Sequence, residues 1–322
     1  MDFRHAKRFL KEGEEYLITT HVQADGDGIG SILALAGIVE QMGKIPRLVI
    51  HDRKADVKYR FLPGFDRIEP YFRSKHEHRS SHVLVADSPS LDRIGEVRKL
   101  VDRGARILNV DHHTSNLRFG CVNLVDENAS STAELVLFLA NALKIRIEEK
   151  MAAQLYTGIL FDTGCFRYSN RYRAFSSASS LVDMGADPVG IADSVYAQRS
   201  FRSVKVLGEA ISSLELHFKG RAAILSLPYR VIRKSVDLDG IVDTAISISG
   251  VEVAAFLKEQ GPGKKVRVSL RSRGSFNVNE LAKDFEGGGH PNASGCSIEG
   301  ETSCVKRALL KAIRKRLVVI PG

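Results

Sequence analysis

The chain has no tryptophan, and aromatic residues make up only 7% of it. A long stacking platform for single-stranded nucleic acid is therefore not advertised. Its four cysteines, Cys121, Cys165, Cys296 and Cys304, include no Cys-x-x-Cys spacing and suggest no disulfide framework. No apolar run approaches the ~20 residues that a membrane span requires. The start, Met1-Asp2-Phe3-Arg4-His5, is polar and lacks the apolar core of a signal peptide. These absences lead us to expect a reduced, cytoplasmic protein with no membrane partner.

What is present bounds the fold. With 322 residues, 43% of them hydrophobic, two globular domains are expected. The formal net charge is +9, part of it in the stretch Lys306 to Arg316. That charge is either plain solubility charge or the mark of an anionic ligand such as a phosphate. With so few aromatics, the anion would be small or short, and no long duplex is expected as a partner. Self-association is left open between monomer and homodimer.

The pattern that organises the chain is a repeat of apolar strands that end in ligand-type side chains. Tyr16 to Thr20 reads as a strand ending on His21, with Asp25 and Asp27 on the loop before a helix from Ile32 to Met42. Gly26, Gly28 and Gly30 read there as tight-turn glycines. Val83 to Ala86 is a strand ending on Asp87, and Ala105 to Val110 one ending on Asp111-His112-His113. A helix is expected from Ile94 to Val101, and Ser130-Ser131-Thr132-Ala133-Glu134 reads as a plain helix cap. A helix from Glu149 to Leu160 delivers Asp162-Thr163-Gly164. His76 and His78, in a basic patch, read as solvated. Alternating strands and helices predict a mostly parallel, doubly wound α/β sheet with its ligands at the strand ends.

His21, Asp25, Asp27, Asp87, Asp111, His112 and Asp162 are five carboxylates and two imidazoles. Crowding so many acids together without cations would be costly, so two divalent metals are expected, with Asp87 central enough to bridge them. Ile191 to Leu214 reads as helical linker. A smaller α/β domain follows, with strands at 222–227, 251–257 and 266–270, a turn at Gly261-Pro262-Gly263, and helices near 242–248 and 278–285. Three consecutive glycines, Gly287, Gly288 and Gly289, precede His290. They read as bare amides offered to an anion, with Arg271 and His290 adding charge. The expected division is a metal-bearing domain over 1–186, a linker over 187–214 and a substrate-binding domain over 215–322.

With these residues in view, the chain resembles the DHH phosphoesterase family, and within it the two-domain bacterial members related to RecJ that act as nano-ribonucleases and pAp phosphatases. His21-x-x-x-Asp25-x-Asp27-x-x-Gly30-Ser31 carries the first motif and Asp87 the second. Asp111-His112-His113 and Asp162-Thr163-Gly164 carry the third and fourth. Ser269-Leu270-Arg271-Ser272 with Gly287-Gly288-Gly289-His290 matches the family's associated C-terminal domain. Two departures stand out: Ala24 where a proline is usual, and Glu286 where a further glycine is common.

The resemblance implies two manganese ions, one on His21, Asp25 and Asp87, the other on Asp27, Asp87, His112 and Asp162. It implies a hydroxide between them that attacks phosphorus. His113 would face the scissile phosphate, with Asp111 orienting the imidazoles. Ser269, Arg271, Ser272, the three glycines and His290 would hold a second phosphate, in a cleft between the domains. The implied activity is hydrolysis of short 5′-phosphorylated oligoribonucleotides to monophosphates, and of pAp to AMP and phosphate. The alternatives are a cyclic dinucleotide phosphodiesterase and a catalytically inactive nucleotide-binding regulator.

Overall fold

Five short apolar stretches build the first sheet: β1 (Glu15–Thr19), β2 (Ile45–Ile50), β4 (Ser80–Ala86), β5 (Val101–Asp111) and β6 (Val122–Val125), with the two-residue β3 (Glu69–Pro70) at one edge. In the computed structural model these pair in parallel in the order β3-β2-β1-β4-β5-β6. The structure describes residues 2–73, 79–167, 172–232, 238, 240–261 and 265–317. His76 and His78 lie outside these residues, as do Pro262 and Gly263.

Alternation along the strands sends Tyr16 and Ile18 to one face and Leu17 to the other, as period-2 geometry requires. The first face is covered by helices α1 (Arg4–Glu12), α2 (Gly26–Gln41), α3 (Thr132–Leu143), α4 (Glu149–Asp162), α5 (Tyr172–Asp183) and α6 (Pro188–Tyr196), which contribute to one large apolar cluster. The opposite face is covered differently from the expectation. In place of an α-helix from Ile94 to Val101 there is a run of 3-10 turns over Leu91–Leu100, broken at Gly95 (φ 58°, ψ −134°). A Cβ on Gly95 would sit 2.6 Å from the His51 ring and 2.7 Å from Val22, so the close approach of two other segments fixes the break.

Gly26, Gly28 and Gly30 are also not turn residues. All three lie inside α2, which begins earlier than its apolar pattern suggested because Asp25 caps it. A Cβ on Gly30 would meet the Gln154 carbonyl oxygen at 2.3 Å, so this glycine lets α2 and α4 touch backbone to backbone.

The chain divides into two units, Met1–Gln198 and Arg199–Gly322. The stretch read as one helical linker holds two helices, α6 in the first unit and α7 (Phe201–Ser212) in the second. The second unit has a mixed sheet of β7 (Glu215–His217), β8 (Ala222–Leu227), β9 (Val253–Gly261), β10 (Lys265–Ser272), β11 (Gly288–His290) and β12 (Ala293–Glu299). Their order across the sheet is β11-β12-β10-β9-β8-β7. Helices α7 and α8 (Ile241–Ile246) share an apolar cluster on one face, and α9 (Val278–Lys283) and α10 (Thr302–Leu317) on the other. Among the described residues no helix is long and apolar enough to cross a membrane.

Candidate metal centre

The ends of the first sheet's central strands bring the expected residues together. His21 follows β1, Asp25 caps α2, and Asp27 stands in its first turn. Asp87 follows β4, Asp111 ends β5 ahead of His112 and His113, and Asp162 ends α4. His21, Asp27, Asp87, Asp111 and His112 are all buried.

Asp87 lies at the middle. Its Oδ2 is 3.2 Å from His21 Nε2, while its Oδ1 is 3.8 Å from His112 Nε2 and 3.7 Å from His113 Nδ1. Around the first oxygen gather His21 and Asp25, whose Oδ2 is 3.7 Å from His21 Nε2. Around the second gather His112 and Asp27, 3.9 Å apart, with Asp162 Oδ2 2.8 Å from His112 Nε2. One carboxylate thus serves two donor groups through different oxygens. Asp87 has φ 55°, the left-handed region, and its N–H donates to Val110 O at 2.9 Å. Aspartate is one of the few residues that tolerates this conformation, which turns the side chain away from the strand's ordinary alternation.

The imidazoles are oriented from behind. A carbonyl only accepts, so Nδ1–H of His21 donates to Val22 O (2.9 Å) and that of His112 to Ala129 O (3.4 Å). Both rings therefore turn Nε2 toward the carboxylates, the arrangement of a histidine prepared for a cation. His113 Nδ1 lies 2.7 Å from Asp111 Oδ1, and Asp111 Oδ2 accepts from Asn116 Nδ2 at 2.5 Å. With both oxygens engaged and full burial, Asp111 holds His113 in place.

Some of the machinery carries no recognisable signal in the sequence. Asp27 accepts from the backbone N–H groups of Thr132 (2.6 Å) and Ala133 (2.8 Å), the positive N-terminal end of α3. Thr132 Oγ1 donates to Asp87 Oδ1 at 3.1 Å. The stretch read as a plain cap is indeed a cap, with Ser131 Oγ accepting from Glu134 N and Glu134 accepting from Ser130 N. It is also a support for two of the acids. Asn116, which no motif in the sequence marks, ties Asp111 to Asn109, donating to Asn109 Oδ1 at 2.8 Å.

Burial alone would push His21 and His112 down, but the neighbouring carboxylates outweigh it and hold both well above the ordinary imidazole value of 6.5. Burial, then Asp87 and Asp162, push Asp27 well above the usual carboxylate range. Asp25 goes the other way, to about 2: burial opposes its ionisation, but His21 and the Gly28 amide prevail. Carboxylate oxygens and imidazole nitrogens in this number suit divalent cations of the manganese, iron or zinc type, so the donor set fits two such ions.

A pH dependence follows for the metal-free chain. The His21 and His112 ion pairs stabilise the fold below 6.5 and fade as pH climbs through the raised values. Ionising Asp27 costs stability in the same direction. The metal-free melting temperature is therefore expected to fall as pH rises above neutrality. A divalent cation that the donor set binds should restore it, and its binding should release protons. Calorimetry in buffers of different ionisation enthalpy measures that release; a proton-neutral binding event would contradict it.

In the second unit the register β10–β12–β11 sets Arg271, Ala293 and His290 in one row and Ser269, Gly295 and Gly288 two rows along, on the same face. Directly opposed residues share a face, so Arg271, His290 and Ser269 point the same way. Arg271 Nε donates to Asp243 Oδ1 at 3.1 Å. Ser272 belongs to the other face and donates to Pro291 O at 3.3 Å.

The glycine run is not simply a bare loop. Gly288 and Gly289 belong to the edge strand β11, and a Cβ at Gly287 or Gly289 would meet β12 backbone oxygens at 2.3 and 2.6 Å. Packing therefore demands two of the three glycines, which the sequence reads only as amides offered to an anion. Of the three, only Gly288 has room for a side chain, whose Cβ would meet Asn279 Oδ1 at an ordinary 3.8 Å. Glu286, which replaces a glycine of the resemblance, has φ 56°, a conformation that glycine adopts freely.

Comparison with known proteins bears on this arrangement directly. Residues 15–159 match the N-terminal domain of the DHH family, and residues 221–318 match the DHHA1 domain. The bifunctional oligoribonuclease and PAP phosphatase NrnA of Thermus thermophilus is 31% identical over 309 residues, covering 95% of this chain and 91% of its own length. A probable enzyme of the same name from Streptococcus mutans is 28% identical, covering 89% and 91%. The solved structure of an exopolyphosphatase-related protein from Bacteroides fragilis superposes with a TM-score of 0.88 at 28% identity, covering 97% of this chain and 95% of that one. The protein belongs to the DHH family, with a DHHA1 domain as its second unit.

Proposed function

We propose that the chain is a metal-dependent phosphoesterase that cleaves short 5′-phosphorylated oligoribonucleotides to nucleoside monophosphates and pAp to AMP and phosphate. The observation that carries this reading is the sharing of Asp87 between two donor groups, one on each carboxylate oxygen. Relatives of similar length bear names for these activities.

Divalent ions on the two groups, manganese in our reading, would supply charge against the phosphate oxygens and water acidic enough to ionise near neutrality. His21, Asp25 and Asp87 would hold one ion, and Asp27, Asp87, His112 and Asp162 the other. The Thr132 and Ala133 amides hold Asp27 in place, so this donor would need no reordering when substrate arrives. His113 is turned by Asp111; burial alone would lower its pKa, but the Asp111 and Asp87 carboxylates outweigh it and hold it above the ordinary value. Its imidazole would therefore donate to a phosphate oxygen as charge develops there.

The second unit would supply choice. Ser269, Arg271, Gly288 and His290 share one face, Gly287 and Gly289 let β11 pack against β12, and Ser272 would act from the opposite face, where it holds the Pro291 carbonyl. A guanidinium grips a terminal phosphate with charge-assisted bonds, and a terminal phosphate carries more charge than an internal diester. Arg271→Ala is therefore expected to lower kcat/KM on 5′-phosphorylated dinucleotides and pAp by about 30- to 150-fold, the equivalent of ~2–3 kcal/mol. It should leave bis-p-nitrophenyl phosphate nearly untouched. Equal losses on both substrates would make Arg271, with its bond to Asp243, a support of the fold.

The function itself is tested with 5′-labelled di- to decaribonucleotides, pAp and cyclic dinucleotides, each with manganese. Fastest release from the shortest linear substrates and from pAp is expected. Turnover confined to cyclic dinucleotides would replace the proposal, and turnover of none would mark a binding protein.

A further inference from the structure

Building on the metal-centre reading, we propose that Asp52 is a positioning residue that clamps the ligand loop between His21 and Asp25. Asp52 lies just beyond β2, the strand beside β1, and is 28 residues in sequence from Ala24. Its two carboxylate oxygens accept from two consecutive backbone amides, Gln23 N–H and Ala24 N–H, each at 3.0 Å. From the other side, Val22 N–H donates to Arg93 O at 2.7 Å. All three amides of the three-residue connection, Val22 to Ala24, are thus held by segments outside it. The connection needs holding, because Gln23 has φ 61°, a conformation disfavoured for a residue with a side chain.

The clamp also accounts for a departure of this chain from the family pattern. A proline usually stands at position 24. Proline fixes its own φ but has no N–H. Alanine gives up that rigidity and gains a donor, and Asp52 Oδ2 is the acceptor that uses it. Asp52 thus provides by hydrogen bonding the order that a ring provides elsewhere. Without it, His21 and Asp25 would sample positions away from Asp87, and each ion bound would have to order them.

The test uses the full chain with Asp52→Ala, Asp52→Asn, Ala24→Pro and the Asp52→Ala/Ala24→Pro pair. Two quantities are read: amide hydrogen exchange at Gln23 and Ala24 without metal, and manganese affinity by calorimetry. Asp52→Ala is expected to speed exchange at both amides while β4 and α3 stay protected, and to weaken manganese binding by about 10- to 100-fold. Asn, with one acceptor oxygen, should fall between. The double variant should lose less than the sum of the single losses, because both remove the bond at Ala24. Unchanged exchange in Asp52→Ala would overturn the clamp, as would faster exchange with undiminished manganese affinity. Wild-type protein that binds no manganese would remove the metal centre and the clamp's purpose together; equal binding by wild type and Asp52→Ala would remove the clamp alone.

Discussion

Asp87→Ala is expected to abolish turnover, by about 10³-fold or more, and to lower metal content more than any other single ligand change. The geometry requires it, because Oδ2 faces His21 and Oδ1 faces His112, so one substitution takes a ligand from each group. Alanine also fits the left-handed backbone at this position poorly, since φ is 55°. Asp87→Asn is the companion variant that separates folding from ligation. Asparagine tolerates the conformation and keeps the shape, while losing the charge and one oxygen acceptor. Both variants should lose metal. An Asp87→Asn protein with near-normal occupancy by elemental analysis would show that the carboxylate does not bridge.

His113→Ala should separate chemistry from metal binding. The His113 ring is held by Asp111, which is in turn held by Asn116, so it is oriented by protein groups without help from a cation. Metal content is therefore expected to stay near wild type while kcat falls about 10²-fold or more, the scale for losing a donor to developing charge. Asn116→Ala should reproduce a smaller part of that loss through looser orientation of Asp111. Loss of metal in step with activity would make His113 a ligand, a role that its distance of 3.7 Å from Asp87 Oδ1 permits geometrically.

The parts legible in the sequence were those that a local pattern records. The strand before each ligand is a short apolar run, and a strand end fixes a side chain at the sheet's edge, so His21, Asp87, Asp111 and His112 could be placed together from their flanks. Asp27 could be placed beside them but not as a helix residue, because Gly26, Gly28 and Gly30 have the composition of a turn. Their small size serves contacts with Thr20 and, far along the chain, with Phe161 and Gln154. The α3 amides on Asp27 join residues 105 and 106 positions apart, and no periodicity encodes such a pairing. The same reasoning covers Gly95, whose close neighbours are Val22 and His51. In the glycine run, composition pointed to an anion nest, whereas register against β12 gives Gly287 and Gly289 a packing role. Asp52 was invisible because a lone Asp after a strand reads as turn chemistry until its partners are known.

The central claim is that one carboxylate joins two cation sites. Electron paramagnetic resonance of the manganese-loaded protein, with the ions counted on the same sample, tests it most directly. Two ions per chain with the exchange-coupled spectrum of a bridged pair are expected, and the coupling should disappear in Asp87→Asn. A single ion per chain, or two with uncoupled spectra that Asp87→Asn leaves unchanged, would contradict it.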